Sequence, residues 1–209
     1  MGTLPEIAKN AREMTPKQEE RIRIKIDKIK KALVADKKTW GGQYRDGRGY
    51  RYLQPALYLQ LKDYKGAQKY FNWFSKNFEE DSGFPIFLFE WTITLFKNKK
   101  LMEAEKKALE TFMSNTYLFD KFLGKNFLEF EKAESSNWEM KYIIENMNYS
   151  SSTEEFSDFT NWLESFVTSE KFYKVANEFI EIQQKLIVLP IGKERSQLIK
   201  RDSHLLDNY

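Results

Sequence analysis

LKDYKGA at residues 61–67 recurs as NKKLMEA at residues 98–104, which places Ala67 and Ala104 37 residues apart. Each stretch follows an apolar run, forms a short polar connection, and leads into a second run with apolar residues at helical spacing. Repetition at such a period is typical of helical hairpins that stack and bury a continuous core. The sequence therefore predicts an all-α fold of stacked antiparallel helical hairpins, with a small residue at the contact inside each hairpin.

The composition agrees with a helical core and excludes several kinds of site. Among 209 residues, 16% are aromatic, which gives the chain the apolar surface that disordered proteins lack, and nine glycines are few for a turn-rich β protein. The absence of cysteine excludes disulfides, thiolate metal sites and cysteine nucleophiles. His204 is the one histidine, so this chain cannot supply two imidazoles to a metal.

The helical pattern predicts one all-α domain with four parts. Thr15-Pro16-Lys17-Gln18 combines an N-cap threonine, a proline in the first turn and a glutamine three residues after the cap, which marks the start of a helix. The predicted parts, within a domain over residues 1–209, are a basic N-terminal helix (16–38), a hairpin core (50–124), C-terminal helices (135–190) and a charged tail that frays (193–209).

Several local signals add finer predictions. Leu53, Leu57 and Leu61 recur every four residues and predict the buried face of a helix over 50–61. Asn115 is expected to end a helix in the left-handed conformation. Further expectations are a capping box at Ser152–Glu155, a helix cap at Ser169, a helix end at Gly124, and helices over 4–13 and 137–147.

Charge is distributed unevenly along the chain. Residues 1–50 carry 13 Lys/Arg and seven Asp/Glu, whereas the remainder carries 21 and 24. A positive first quarter favours an acidic partner, nucleic acid or the protein's own acidic surface. The first residues, MGTLPEIAKNAREM, lack the apolar core of a secretory signal, and Phe84–Phe96 is too short to span a bilayer. We therefore expect a cytoplasmic protein without membrane contact.

The hairpin pattern resembles the tetratricopeptide repeat, whose usual period is about 34 residues. Tyr58, Tyr64, Ala67 and Phe71 occupy positions where that family favours an aromatic, an aromatic, alanine and an aromatic. The sequence departs from the family at two residues and in the second unit, which keeps only part of the pattern. Pro55 stands where the family has a small residue, and Lys62 replaces a common turn glycine.

A second resemblance covers roughly residues 40–124. Asp46-Gly47-Arg48-Gly49-Tyr50-Arg51-Tyr52-Leu53, followed by Asp63-Tyr64-Lys65-Gly66-Ala67, is similar to the divergent repeat segment of proteins related to the suppression-of-tumorigenicity family, including small bacterial relatives. What the resemblance implies is a tetratricopeptide-like α-solenoid with a scaffold or adaptor role.

Two groups of residues are candidates for binding. In the glycine-rich loop WGGQYRDGRGYR, arginine guanidinium groups suit phosphate or carboxylate, although the loop lacks the P-loop arrangement; the alternative is a connector in which Arg51 pairs with an acidic neighbour. The clustered rings either form the core or line a groove for an extended peptide. The candidate binding residues are Arg45, Arg48, Arg51, Tyr52, Phe87 and Trp91.

Three classes of function remain open from the sequence. The repeat pattern favours a non-catalytic protein-interaction module with a protein or peptide partner. The alternative is a protein that binds nucleic acid or an acidic ligand through the basic helix and the arginine loop, with steep salt dependence. An enzyme is the third, and it lacks sequence support: we identify no catalytic residue, metal site or cofactor, and Ser203 and His204 are too close in sequence for a triad.

Overall fold

The computed structural model describes residues 14–126, 130–133, 144–145, 147–207 and 209. Within these residues the chain forms α-helices packed against each other, two short 3₁₀ helices (Tyr50–Tyr52 and Glu154–Phe156) and no strand. The all-α prediction is therefore confirmed. The helices are α1 (Pro16–Thr39), α2 (Gln54–Gln60), α3 (Tyr64–Asn77), α4 (Pro85–Lys97), α5 (Leu101–Ser114), α6 (Leu118–Leu123), α7 (Ser157–Val167), α8 (Glu170–Val188) and α9 (Lys193–Ser203).

The start of α1 follows from its cap. The Thr15 side chain accepts from the Gln18 N–H, and the Gln18 side chain accepts from the Thr15 N–H at 2.8 Å, which confirms the predicted capping box. Ile26 and Leu33, two turns apart on one face of α1, are buried, and α1 lies against α2 and the 3₁₀ helix before it.

The connection between α2 and α3 is a Schellman turn. The N–H of Asp63 donates to the carbonyl of Tyr58 (3.0 Å), and the N–H of Lys62 donates to that of Leu59 (2.9 Å). Lys62 is left-handed, with φ 54°. This pair of bonds around one left-handed residue satisfies the last carbonyls of a helix and reverses the chain.

The connection between α4 and α5 has the same bonds. Lys100 donates to the carbonyl of Leu95 (3.0 Å) and Lys99 to that of Phe96 (2.8 Å), while Lys99 has φ 64°. Each of these residues stands 37 positions after its counterpart in the first turn. Ala67 and Ala104, the small residues of the repeated pattern, are both fully buried.

The core consists of two clusters of buried side chains. One lies between α1, α2, α3 and Phe87 of α4, and the other extends from α4 through α5, α6, α7 and α8. Trp91 packs against both clusters. Helix α4 contacts α2, α3, α5 and α7, so it is the central element of the described structure.

The predicted leucine stripe is confirmed in part, because Leu57 and Leu61 are partly buried against the core cluster between α1, α2 and α3. Pro55 lies in the first turn of α2, where its missing N–H costs no bond, and the helix begins at Gln54 instead of 50. The buried residues of α2 are Gln54, Pro55, Tyr58 and Leu59, whereas Leu53 is 49% exposed.

Two predicted helix ends are also wrong. Asn115 is extended (φ −150°), because its side chain accepts from the Tyr117 N–H at 2.9 Å and begins a new turn. The predicted capping box at Ser152–Glu155 is replaced by other contacts: the Ser152 hydroxyl lies 2.9 Å from that of Ser150, the Glu155 carboxylate pairs with Lys62, and a 3₁₀ turn precedes α7. The predicted cap at Ser169 and the left-handed Gly124 (φ 68°) are confirmed.

The segment that was predicted to fray contains α9, and its described residues contact the rest of the chain. Arg201 Nε lies 2.6 Å from Glu178 Oε1, and the hydroxyl of Tyr209 donates to Glu105 at 3.2 Å. Leu206 contacts the larger core cluster. The predicted helix over 4–13 and most of the one over 137–147 lie outside the described residues.

Candidate binding groove

A groove of about 590 Å³ lies between α1 and the α2–α3 hairpin. We call it the α1 groove. Because α1 rests on α2 and on residues 50–52, a space remains between α1 and α3. A groove of this size is in the usual range for a ligand site. Its lining residues come from α1, from the start of α2, from one face of α3, and from Tyr44 in the loop after α1.

The floor and one wall of the α1 groove consist of apolar and aromatic side chains. Ile26 and Leu33 are 3% and 2% exposed, and the ring of Tyr70 is 5% exposed. The hydroxyl of Tyr70 donates to the carbonyl of Arg51, and burial raises the pKa of this phenol. Trp73 forms the wall, with its ring 5.4 Å from that of Tyr44 in an edge-to-face arrangement.

The rim of the α1 groove is charged. Arg23, Lys30 and Lys69 line it together with Asp27 and Asp63. Asp63 caps α3, because its carboxylate accepts from the Gly66 N–H at 2.8 Å. Lys30 and Lys69 are exposed, so their ammonium groups are accessible to a ligand.

Helix α1 adds a wider positive field around this rim. It contains nine Lys/Arg and four Asp/Glu. In the part of the chain that the structure describes, none of these basic side chains forms an ion pair. An acidic ligand would therefore approach α1 without displacing an existing pair.

Gln54 is a buried polar residue on the surface of the α1 groove. It begins α2, lines the groove, and is 1% exposed. Its Oε1 has no hydrogen-bond partner among the described residues. Most buried polar atoms in proteins have a partner, so this amide requires an explanation.

The structure places two of the sequence candidates, Arg51 and Tyr52, in a structural network. Arg51 Nε lies 2.6 Å from Asp81 Oδ2, and Arg51 Nη1 lies 3.2 Å from Asp46 Oδ2. The hydroxyl of Tyr52 donates to Asp81 at 2.6 Å. Burial opposes ionisation of Asp81, but hydrogen bonds from Tyr52, the Gly83 N–H and Arg51 outweigh it and lower the pKa of the carboxyl. Arg51 thus connects the glycine-rich loop (residues 40–51) to the segment between α3 and α4.

The other two arginines among the candidate binding residues lie on the surface. Arg45 is exposed and its guanidinium stacks 4.1 Å from the ring of Trp40. Arg48 is exposed and its Nη1 donates to the hydroxyl of Tyr50 at 3.3 Å. The structure therefore brings Arg51 and Tyr52 together at Asp81 and gives Arg45 and Arg48 separate partners.

Phe87 and Trp91, the two rings predicted to line a groove, lie outside the α1 groove. Phe87 is fully buried, with its ring 5.2 Å from that of Phe71. Trp91 is half-buried, stacked on Phe71 at 4.6 Å, and Lys107 Nζ lies 4.1 Å from its ring. Since α4 is surrounded by other helices, these rings form the contact between the two core clusters.

A buried carboxyl lies within α4. Glu90 is 4% exposed and accepts from the hydroxyl of Tyr149 at 2.6 Å. Burial raises its pKa to about 8, although the hydrogen bond from Tyr149 acts in the opposite direction. Glu90 is therefore largely protonated at neutral pH.

Sequence reasoning missed most of the α1 groove. Gln54, Tyr58, Tyr70 and Trp73 are far apart in sequence from Lys30 and meet only when α1 packs on the hairpin. The available signal was a glutamine beside Pro55, at the start of a short and mostly apolar helix. Within the described residues, no group of His, Asp or Glu is arranged to hold a metal ion. Every helix in that same part of the chain is too short or too polar to cross a bilayer.

Comparison with known proteins identifies no relative of this chain. Neither a family model, nor a curated protein, nor a solved structure matches this chain. The resemblance to tetratricopeptide-like repeats therefore stays a prediction, and the function has to be argued from the geometry of the site.

Proposed function

We propose that this chain is a non-catalytic protein-interaction module that binds a peptide segment of a partner protein in the α1 groove. The observation that carries the proposal is the groove itself, with its apolar floor, its aromatic wall and its basic rim. Ligand sites in proteins share this combination of apolar lining and a few polar groups.

We further propose that the α2–α3 and α4–α5 hairpins stack as tetratricopeptide-like repeats. The two identical Schellman turns, 37 residues apart, support this arrangement. A second support is Asn98, whose side-chain amide donates to the carbonyl of Tyr64 at 2.8 Å and so joins the second turn to the start of α3. Repeats that stack in this way form extended binding surfaces.

Charge complementarity specifies the ligand. Arg23, Lys30 and Lys69 line the rim, and α1 carries further unpaired basic residues. A peptide with carboxylates next to apolar side chains would place its apolar groups on Ile26 and Trp73 and its charges beside the lysines. Such pairs raise the association rate and exclude basic ligands.

The test uses random-sequence peptides displayed on phage and selected on the full chain. Selected peptides should be acidic and apolar, and they should bind the Lys30→Glu/Lys69→Glu variant at least about tenfold more weakly. The matched control is Lys106→Glu/Lys174→Glu, which changes the net charge equally at two exposed positions outside the groove. This control should bind as the unmodified chain does.

Three outcomes would overturn the proposal. The first is a selection that enriches no peptide, and the second is an equal loss of binding in both double variants. The third is tighter binding of labelled RNA or DNA than of any peptide, with affinity that falls steeply with salt, which would instead favour nucleic acid as the ligand of α1.

A further inference from the structure

Helix α8 has an uncharged face that is only partly covered. Since successive residues of a helix are turned by about 100°, its six charged residues fall on one face and its six buried residues on the next. The third face carries Tyr173, Asn177, Ile180, Gln184 and Ile187, and we call these five residues the α8 face. Tyr173 and Ile187 are 51% and 47% exposed, Asn177 and Gln184 are exposed, and Ile180 is half-buried.

The other two faces of α8 have partners within the chain. On the buried face, the ring of Phe172 lies 5.2 Å from that of Phe112 in α5. On the charged face, Lys171 forms an ion pair with Glu105 of α5 at 2.7 Å. The α8 face is therefore the side of this helix with room for a further contact.

The composition of the α8 face is typical of an interface core. The exposed sides of α3 and α5 carry charged residues, among them Lys69 and Lys106, whereas the α8 face has none. Interface cores are likewise depleted of charged residues and enriched in aromatic ones. Val188 and Ile191, 79% and 97% exposed, add apolar surface at the Ile187 end of the helix. Exposed apolar surface of this kind marks an interaction site.

The spacing of the α8 face identifies a second copy of this chain as its partner. Tyr173 and Ile187 lie seven residues before and seven residues after Ile180. Two α8 helices that pack antiparallel around Ile180 therefore place Tyr173 of each copy opposite Ile187 of the other. Asn177 then comes close to Gln184 of the second copy, and their amides supply both donors and acceptors. A two-fold symmetric dimer requires a surface that is complementary to itself in this way.

We infer that the α8 face is the contact surface between two copies of this chain, which pair with their α8 helices antiparallel around Ile180. A parallel pair would place ring on ring at one end and would align the two helix dipoles unfavourably. One helix face about 21 Å long buries less than the roughly 800 Å² per partner of a standard interface, so the dimer is weak and reversible. The α1 groove is lined by other elements, so the dimer carries two open grooves.

The first experiment is sedimentation velocity of the full chain at about 5–500 μM. The chain should show a reversible monomer–dimer equilibrium with a dissociation constant on the order of 10–100 μM. Ile187→Asp should weaken the dimer at least about tenfold, because the antiparallel pair buries the new carboxylate at both ends. The matched control Met102→Asp, at a 77% exposed position of α5, should dimerise as the unmodified chain does.

A mixing experiment tests the orientation of the two helices. Tyr173→Lys should weaken the dimer as Ile187→Asp does. A mixture of these two variants should dimerise more tightly than either variant alone, because the antiparallel heterodimer pairs the introduced ammonium with the introduced carboxylate. In a parallel pair the two charges would lie about 21 Å apart, and mixing would give no gain.

A third measurement uses the absence of cysteine from the chain. Ile180→Cys introduces a single thiol at the centre of the α8 face, where the two copies meet. Mild oxidation should link two copies of this variant by a disulfide at least about tenfold faster than it links Met102→Cys, because a disulfide requires the two Cα atoms to approach within about 7 Å.

Three outcomes would overturn the inference. The first is a monomer at every concentration, together with equal cross-linking of the two cysteine variants. The second is a dimer that Ile187→Asp leaves unchanged or that Met102→Asp weakens equally, and the third is a mixture that dimerises no more tightly than its components. Peptide binding in the α1 groove should be the same in Ile187→Asp and the unmodified chain, so this inference and the proposed function stand or fall separately.

Discussion

The α2–α3 and α4–α5 hairpins have the same turn and very different surroundings. Helix α4 buries ten of its 13 residues and is contacted by helices on several sides, whereas α2 has seven residues and buries four. On the outer side of α2–α3 lies α1, which leaves the groove open. Local turn chemistry thus sets each hairpin, while the neighbouring helices decide whether the hairpin is enclosed in the core or borders an open groove.

Equivalent positions in the two hairpins show this difference most clearly. Leu53 and Glu90 are 37 residues apart, yet the leucine is 49% exposed and the glutamate 4% exposed. This is the reverse of the usual preference of these residue types. The same position of the 37-residue repeat therefore lies at the surface beside α2 and in the core within α4.

The largest expected effect concerns Glu90 and pH. Its pKa in the folded protein is raised to about 8 from its ordinary value of 4.5. Between these values the folded state holds a proton that the unfolded state releases, so stability should fall as pH rises, by at most about 1.4 kcal/mol per pH unit. Below pH 4.5 the contribution of Glu90 is complete, and above about 8 it is lost. Urea unfolding at a series of pH values measures this slope.

The variant Glu90→Gln should remove the decline, because its side chain has no charge to bury. The control Glu181→Gln, at an exposed position of α8, should keep it. Both variants should still lose stability in acid, because hydrogen bonds and ion pairs hold the pKa values of Asp81 and Asp158 below their ordinary values. A decline of equal slope in Glu90→Gln would contradict the assignment.

The next effect in size concerns Gly66 and its counterpart Glu103 in the second hairpin. A Cβ at Gly66 would lie 2.8 Å from Tyr58 Cε1 and would also overlap the carboxylate of Asp63. Gly66→Ala should therefore lower the free energy of unfolding by about 1–3 kcal/mol, although alanine is the better helix former. Glu103 is exposed, so Glu103→Ala should change stability by less than about 0.5 kcal/mol. Equal effects in chemical denaturation would mean that the two hairpins pack alike.

The smallest effect concerns the left-handed lysines of the two turns. Lys99→Gly should raise the free energy of unfolding by about 1 kcal/mol, because glycine has no Cβ to strain at φ 64°. Lys62→Gly should gain less, since the Lys62 side chain also forms an ion pair with Glu155. Thermal unfolding of both variants measures the difference, and a loss of stability in Lys99→Gly would contradict the turn geometry.

Much of the local structure could be predicted from the sequence because its causes are local. The Thr15 and Ser169 caps and the helix end at Gly124 each depend on neighbours within a few residues. The predictions that were wrong concern residues for which two local structures compete. Asn115 caps the next turn instead of adopting positive φ, and a 3₁₀ turn replaces the capping box at 152–155.

The binding residues were harder to predict, because chemical type alone does not show which groups are already paired. Arg51 has the side chain of a phosphate ligand, yet its partners are Asp46 and Asp81, and Asp81 lies 30 residues away. Phe87 has a large apolar ring of the kind that lines binding grooves. It is nevertheless fully buried, because helices contact α4 on several sides. Long-range contacts occupy these candidates, whereas Lys30 and Lys69 at the rim of the α1 groove are exposed.

From the sequence alone follow the helical class, the repeated turn and most helix starts, because periodicity and capping act over one or two turns of chain. The tertiary structure decided three further features: the opening of the α1 groove, the burial of Glu90, and the packing of the C-terminal segment as α9. Each of these features depends on which helix covers which face of its neighbours. That packing is set by the burial of apolar surface over the whole chain, which a local sequence pattern does not show.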